Sequence, residues 1–146
     1  MKPIVVTADI AADPDRVYAT IVDIERLPET SPDTVSVTFV TEQRSGPGTR
    51  FRETRAMGKR SQEFDLELRE CDATARTARF VSDHEGTSWD TSMVVTPVGD
   101  GCHVAFTMDA FTDSKMKSFV FGLMRGMFRK GMDKQVRALK AYCEAS

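Results

Sequence analysis

The chain has 146 residues, the length of one domain, and its 40% apolar share supports a single core and excludes wholesale disorder. A net charge of −2 lacks the basic excess of a nucleic-acid-binding chain. No apolar run approaches a membrane span, and the stretch within Met1–Asp9 is too short for a signal peptide, so a cytoplasmic domain, monomer or homodimer, is expected. Cys71, Cys102 and Cys143 form no CxxC pair, and the only histidines are His84 and His103, so neither a disulfide framework nor a metal or cofactor site is expected.

Residues 3–10 alternate and predict an opening strand. Asp13-Pro14 follows, a capping residue and then a proline where its missing N–H is not needed, which starts a helix carrying Val17, Tyr18, Ile21 and Ile24. Pro28–Thr34 breaks the pattern, so residues 13–30 predict two short helices. From Thr34 to Phe111 the period becomes two. Val35, Val37 and Phe39 alternate with polar residues. Phe51 to Met57 follow the Gly46-Pro47-Gly48 turn, and Phe64, Leu66 and Leu68 follow Gly58. Ala78 and Phe80 come next, then Trp89 to Val95, and after Gly99-Asp100-Gly101 come Val104, Phe106 and Met108. These six strands with short turns predict an antiparallel meander. Asp113 or Ser114 then caps a helix expected over 115–142, with Met116, Phe119, Val120, Leu123, Met127, Gly131 and Ala138 near one stripe. Phe128, Met132, Val136 and Leu139 widen that stripe. So long a helix must lie against the sheet.

Several segments carry a family likeness: Ile10-Ala11-Ala12-Asp13-Pro14 running into Val17-Tyr18, then Val22-Asp23-Ile24-Glu25, then Gly46-Pro47-Gly48-Thr49-Arg50-Phe51. Gly99-Asp100-Gly101-Cys102-His103-Val104 and Leu139-Lys140-Ala141-Tyr142 complete the set. In that order, over the whole chain, they resemble the START-like (SRPBCC, helix-grip) superfamily, in its polyketide cyclase/dehydrase-like branch. Members often carry a tryptophan where this chain has Thr30-Ser31-Pro32. The resemblance implies one α+β domain over 1–146, a curved antiparallel sheet of about seven strands wrapped around a long C-terminal helix. It also implies lipids, polyketides or similar aromatic molecules as ligands.

The architecture leaves room for a ligand between sheet and helix, because a helix crossing a curved sheet cannot touch the whole concave face. Parity and helical phase turn Phe51, Phe64, Phe80, Trp89, Met93, Phe106 and Met108 inward from the sheet, with Phe119, Leu123 and Met127 facing them from the helix. The same side chains suit an ordinary core; only a gap separates the two readings. Glu53 and Arg55 share the inward parity of Phe51. Buried charge needs a partner, so they either pair with each other or anchor a ligand's polar end, Arg55 holding a carboxylate or enolate and Glu53 exchanging a proton. Gln62 and Thr91 complete a candidate polar cluster, while His84 at a turn and His103 at outward parity are expected in solvent.

Residues 113–146 hold eight basic side chains against Asp113, Asp133 and Glu144, a net +5 that leaves −7 on the remainder. Such a helix either solvates its outer face or rests on an anionic membrane surface. The first expectation for function is binding, transport or sensing of a small hydrophobic ligand. The alternatives are a cyclase or dehydratase acting through Glu53 and Arg55, and a protein-interaction module. The absence of an obvious acid–base set keeps the enzyme second.

Overall fold

The computed structural model describes residues 1–145. The chain opens with β1 (Ile4–Ile10), α1 (Pro14–Val22), a single 3-10 turn (Ile24–Arg26) and α2 (Leu27–Thr30). Six strands follow: β2 (Thr34–Phe39), β3 (Thr49–Met57), β4 (Arg60–Asp72), β5 (Thr77–His84), β6 (Thr87–Val98) and β7 (Gly101–Thr112). Two helices end the chain, α3 (Lys115–Leu123) and α4 (Arg125–Glu144). All seven strands form one curved antiparallel sheet in the order β1-β7-β6-β5-β4-β3-β2, so β2 to β7 make an unbroken meander and β1 closes onto β7.

Local chemistry sets the boundaries. Asp13 accepts a hydrogen bond from the Arg16 N–H at 3.2 Å and Ser114 accepts one from Lys117 N–H at 3.1 Å, each satisfying an open helix donor. Gly58 and Gly99 take positive φ (+65° and +57°) in the β3–β4 and β6–β7 turns, a region side chains enter only at a cost. At the β4–β5 turn Asp72 accepts from the N–H groups of Thr74 and Ala75.

The core fills one end of the concave face. Ile10, Cys102, Val95, Ala78 and Leu68 lie there on the strands, packed under Val17 and Tyr18 of α1 and Val136, Leu139 and Cys143 of α4. The rest of that face lies under the first half of α4 and holds the cavity described below.

Two sequence expectations need correction. β2 shifts register between Thr34 and Ser36, so the alternation of Val35, Val37 and Phe39 does not hold one face and Val35 is exposed. This bulge puts Thr34 rather than Val35 on the inner face. The expected continuous helix over 115–142 breaks at Met124, where the Met124 N–H bonds back toward Gly122 and Val120. α4 alone, at 20 residues, spans about 30 Å. Burial differs across the break: Met132, Val136, Leu139 and Cys143 of α4 are buried, whereas no residue of α3 is.

The junction of β1 with the β6–β7 turn is tight. A Cβ on Gly101 would stand 2.5 Å from the Ile10 carbonyl oxygen, so Gly101→Ala must move backbone and is expected to lower unfolding free energy by roughly 1–3 kcal/mol in denaturant titrations. Tyr18 is buried and donates to the Thr77 carbonyl at 2.9 Å; burial, reinforced by charge on neighbouring Cys71, pushes its phenol up to about 12. A pKa raised by folding stabilises the native state fully below the free-phenol value near pH 10 and loses that contribution as pH rises toward 12. Unfolding free energy is therefore expected to fall across that window in the parent chain, and Tyr18→Phe should flatten that part of the profile.

Candidate ligand-binding cavity

Residues that alternate along five adjacent strands form the floor of a cavity of about 700 Å³. β3 contributes Phe51, Glu53, Arg55 and Met57, β4 contributes Phe64 and Leu66, and β5 contributes Phe80 and Ser82. β6 adds Trp89, Thr91 and Met93, and β7 adds Phe106 and Met108. The strand period of two brings these side chains to one face, and the cross-strand pairs Glu53↔Phe64 and Met93↔Phe106 place them side by side. α4 forms the roof with Met127, Phe128, Gly131, Met132, Gln135 and Leu139, spaced three to four residues apart on one helical face. Ile21 and Leu27 close one side, beside Thr30 and Asp33. Aromatic edges order the walls: Phe51 and Phe80 meet edge-on at 6.2 Å, and Trp89 packs against Phe121 at 5.0 Å and Phe128 at 5.4 Å.

One end of this apolar hollow is charged. Glu53 is only 6% exposed, and its carboxylate accepts a 2.5 Å hydrogen bond from the Thr34 hydroxyl. Arg55 stands 3.7 Å from Glu53 and 3.9 Å from Asp33, and Asp33 also takes Lys134 at 2.9 Å. Two carboxylates thus face two cations, and the cluster is electrically balanced within the protein. The pairing reading of Glu53 and Arg55 and the cavity reading hold together, because the ion pair itself lines the hollow. Ser82 is committed, donating to the Asp65 carbonyl at 2.7 Å. The Thr91 hydroxyl and the Gln135 amide have no hydrogen-bond partner among the described residues and face the cavity unspent.

Eleven of the fourteen residues singled out from the sequence come together here: Phe51, Glu53, Arg55, Phe64, Phe80, Trp89, Thr91, Met93, Phe106, Met108 and Met127. Phe119, Leu123 and Gln62 do not. Phe119 and Leu123 point to solvent, because Phe121 and Phe128, seven residues apart on one helical face, are the side chains that turn onto Trp89. Gln62 lies beyond the cavity's end, where its amide nitrogen sits 2.9 Å from His84 Nε2. His84 is itself not the solvated turn residue expected; it is half-buried, its ring 4.9 Å from that of Phe64. His103 does face outward and bonds Asp9 at 2.8 Å. Leu66 and Ser82 share strand parity with the residues chosen, and that signal was sufficient to find them. Asp33 and Gln135 carried none, because a loop and a helix phase had to be placed first.

The model of one protein family, polyketide cyclase / dehydrase and lipid transport, matches residues 1–144. The chain belongs to that family. No curated protein matches it in sequence. Among solved structures it is similar to TTHA0849 from Thermus thermophilus, at 20% identity and a TM-score of 0.80, covering 99% of this chain and 98% of that one. It is also similar to the Zhui aromatase/cyclase from Streptomyces sp. R1128, at 13% identity and 0.82, covering 98% and 93%. Truncated norcoclaurine synthase from Thalictrum flavum aligns at 15% identity and 0.76, covering 95% and 91%. At such identities these likenesses establish the shared fold, a seven-stranded sheet gripping a C-terminal helix. For this member of the cyclase/dehydrase family the balanced charge cluster is the feature to test. Arg55→Met leaves the buried Glu53 without a cation while Asp33 keeps Lys134, and unfolding free energy should fall by about 1–2 kcal/mol, less than for a fully buried pair because Arg55 is partly solvated. Adding Glu53→Gln should return part of that loss, read as a coupling energy in a double-mutant cycle.

Proposed function

We propose that the protein binds a small hydrophobic molecule with a neutral polar end, as a carrier or sensor, in the cavity beneath α4. The observation that carries this reading is an apolar hollow of ligand size whose charged end is already matched by the protein's own side chains. A ligand carboxylate would compete with Glu53 and Asp33 for Arg55, so an uncharged hydroxyl, phenol or ketone suits the site better. The free Thr91 hydroxyl and Gln135 amide can both donate to and accept from such a group. Met93, Met108, Met127 and Met132 line the walls, and unbranched, polarizable side chains adapt to ligands of differing outline. The residues lining the cavity are accordingly the proposed contacts.

A second reading, catalysis of a cyclase or dehydratase type, is favoured by one observation, a buried carboxylate beside a guanidinium inside the hollow. There Glu53 would exchange a proton while Arg55 stabilised developing negative charge on an enolate oxygen. Turnover of a polyketide-like substrate that survives both Glu53→Gln and Arg55→Met would remove that reading.

Native mass spectrometry of the freshly purified protein is the decisive test for the carrier, with Nile red fluorescence as the equilibrium measurement. Gly131 provides the control. It lines the cavity and a Cβ there meets nothing within 4 Å, so Gly131→Phe is expected to fill the hollow without displacing backbone. The variant should lose Nile red binding by at least about tenfold, the loss of roughly 1.4 kcal/mol or more, while its Tm holds or rises because glycine leaves a helix interior. No bound mass together with unchanged Nile red affinity in Gly131→Phe would refute the carrier.

A further inference from the structure

The apolar stripe of α3 faces away from the protein. Met116, Phe119, Val120 and Leu123 recur at the helical interval, and all are exposed, Met116 at 77%, Phe119 at 69% and Leu123 at 73%. Met127, one turn further along and 58% exposed, continues the stripe and also belongs to the cavity wall. A contiguous row of this kind on a helix that buries no residue marks a contact surface rather than a core. The opposite side of α3 is firmly held: Phe121 packs on Trp89 and Phe128, and Lys117 donates to the Glu85 carbonyl. The outward stripe is therefore the fixed orientation of this helix.

Its charge surroundings identify the occupant. From Ser114 to Met132 there is no acidic residue and there are five cations: Lys115 and Lys130 flank the stripe, and Lys117, Arg125 and Arg129 lie further round the helix. None has a carboxylate within ion-pair distance among the described residues; Arg125 and Arg129 rest on the β1-side carbonyls of Pro3 and Val5. We propose that α3 and the first turn of α4 form a docking face for an anionic lipid surface, lying in the headgroup plane with Phe119 and Leu123 inserted. Apolar insertion and attraction of unneutralised cations to anionic headgroups act together in such binding. A two-fold dimer through the same face would set the Lys115 and Lys130 of one copy against those of the other with no carboxylate between them, a like-charge arrangement that disfavours it. Because Met127 lies both on the stripe and in the cavity wall, docking brings the cavity's rim to the lipid.

Flotation of the full chain with phosphatidylcholine vesicles, with and without phosphatidylserine, tests the proposal. Binding is expected on the anionic vesicles, on the order of tenfold or more tighter than on neutral ones, and should weaken as salt is raised. Phe119→Ser with Leu123→Ser should abolish it at unchanged Tm, and Lys115→Glu with Lys130→Glu should remove the preference for phosphatidylserine. Equal or absent recovery on both vesicle types overturns the proposal. So does a fall in Tm for the serine pair as large as a core substitution produces, which would mean the stripe packs inward in solution. Self-association abolished by the serine pair, without vesicle binding, assigns the face to a second copy instead. Vesicle binding does not require an occupied cavity, so this result stands or falls separately from the native mass measurement.

Discussion

The protein's shape depends on how α4 is lashed to the open edge of the sheet. β1 pairs only with β7, so along its other side alternate carbonyl and N–H groups face away from the sheet. α4 supplies their partners. Arg129 donates to the Val5 carbonyl at 3.0 Å, Lys140 to Asp9 at 2.6 Å, and Arg125 to Lys2 and Pro3, while Glu144 accepts the Ala11 N–H at 2.8 Å. That bond and the neighbouring Lys140 ammonium hold the Glu144 carboxyl below the usual carboxylate range. Charged donors covering an edge strand also protect it from pairing with another chain.

Fixed along β1, α4 lies to one side of a curved sheet, and only its longer side chains reach toward β3, β4 and β5. Close packing succeeds where α1 adds a second layer, over Ile10, Cys102 and Val95. It fails over Phe64, Trp89 and Met108, where α4 roofs the sheet with only Phe121 of α3 and the Ile21 and Leu27 side chains beside it, and the shortfall is the cavity. Burying Glu53 within it is tolerable because Thr34 and Arg55 satisfy the carboxylate and Asp33 with Lys134 extends the balance. The bulge in β2 contributes directly, since it places the Thr34 hydroxyl rather than the Val35 side chain against Glu53.

The basic residues of the last segment divide by what they meet. In α4, Lys134, Arg137 and Lys140 meet carboxylates, and Arg129 and Arg125 reach the β1 edge. Toward α3 the carboxylates run out while the exposed apolar side chains begin. One end of the same segment thus holds the fold together and the other presents an uncovered amphipathic face. No helix of the described residues is long and apolar enough to cross a membrane.

Period-two alternation from Phe51 to Met108, with glycines in all but one of the turns, determined the meander and the cavity floor, because strand parity is a local property of the backbone. The caps at Asp13 and Ser114 were equally local. The break at Met124 was not: the apolar stripe runs through it at helical spacing, and only the competing demands of β1 on Arg125 and of Trp89 on Phe121 decided which face turned inward. Phe119 and Leu123 therefore lie in solvent and Phe128 and Met132 in the roof, an exchange invisible without the partners. The same holds for Asp33, Lys134 and Gln135, brought to Arg55 and the cavity from a loop and a helix remote in the chain. Alternation assigns a side chain to a face, but what stands opposite that face is settled by long-range packing.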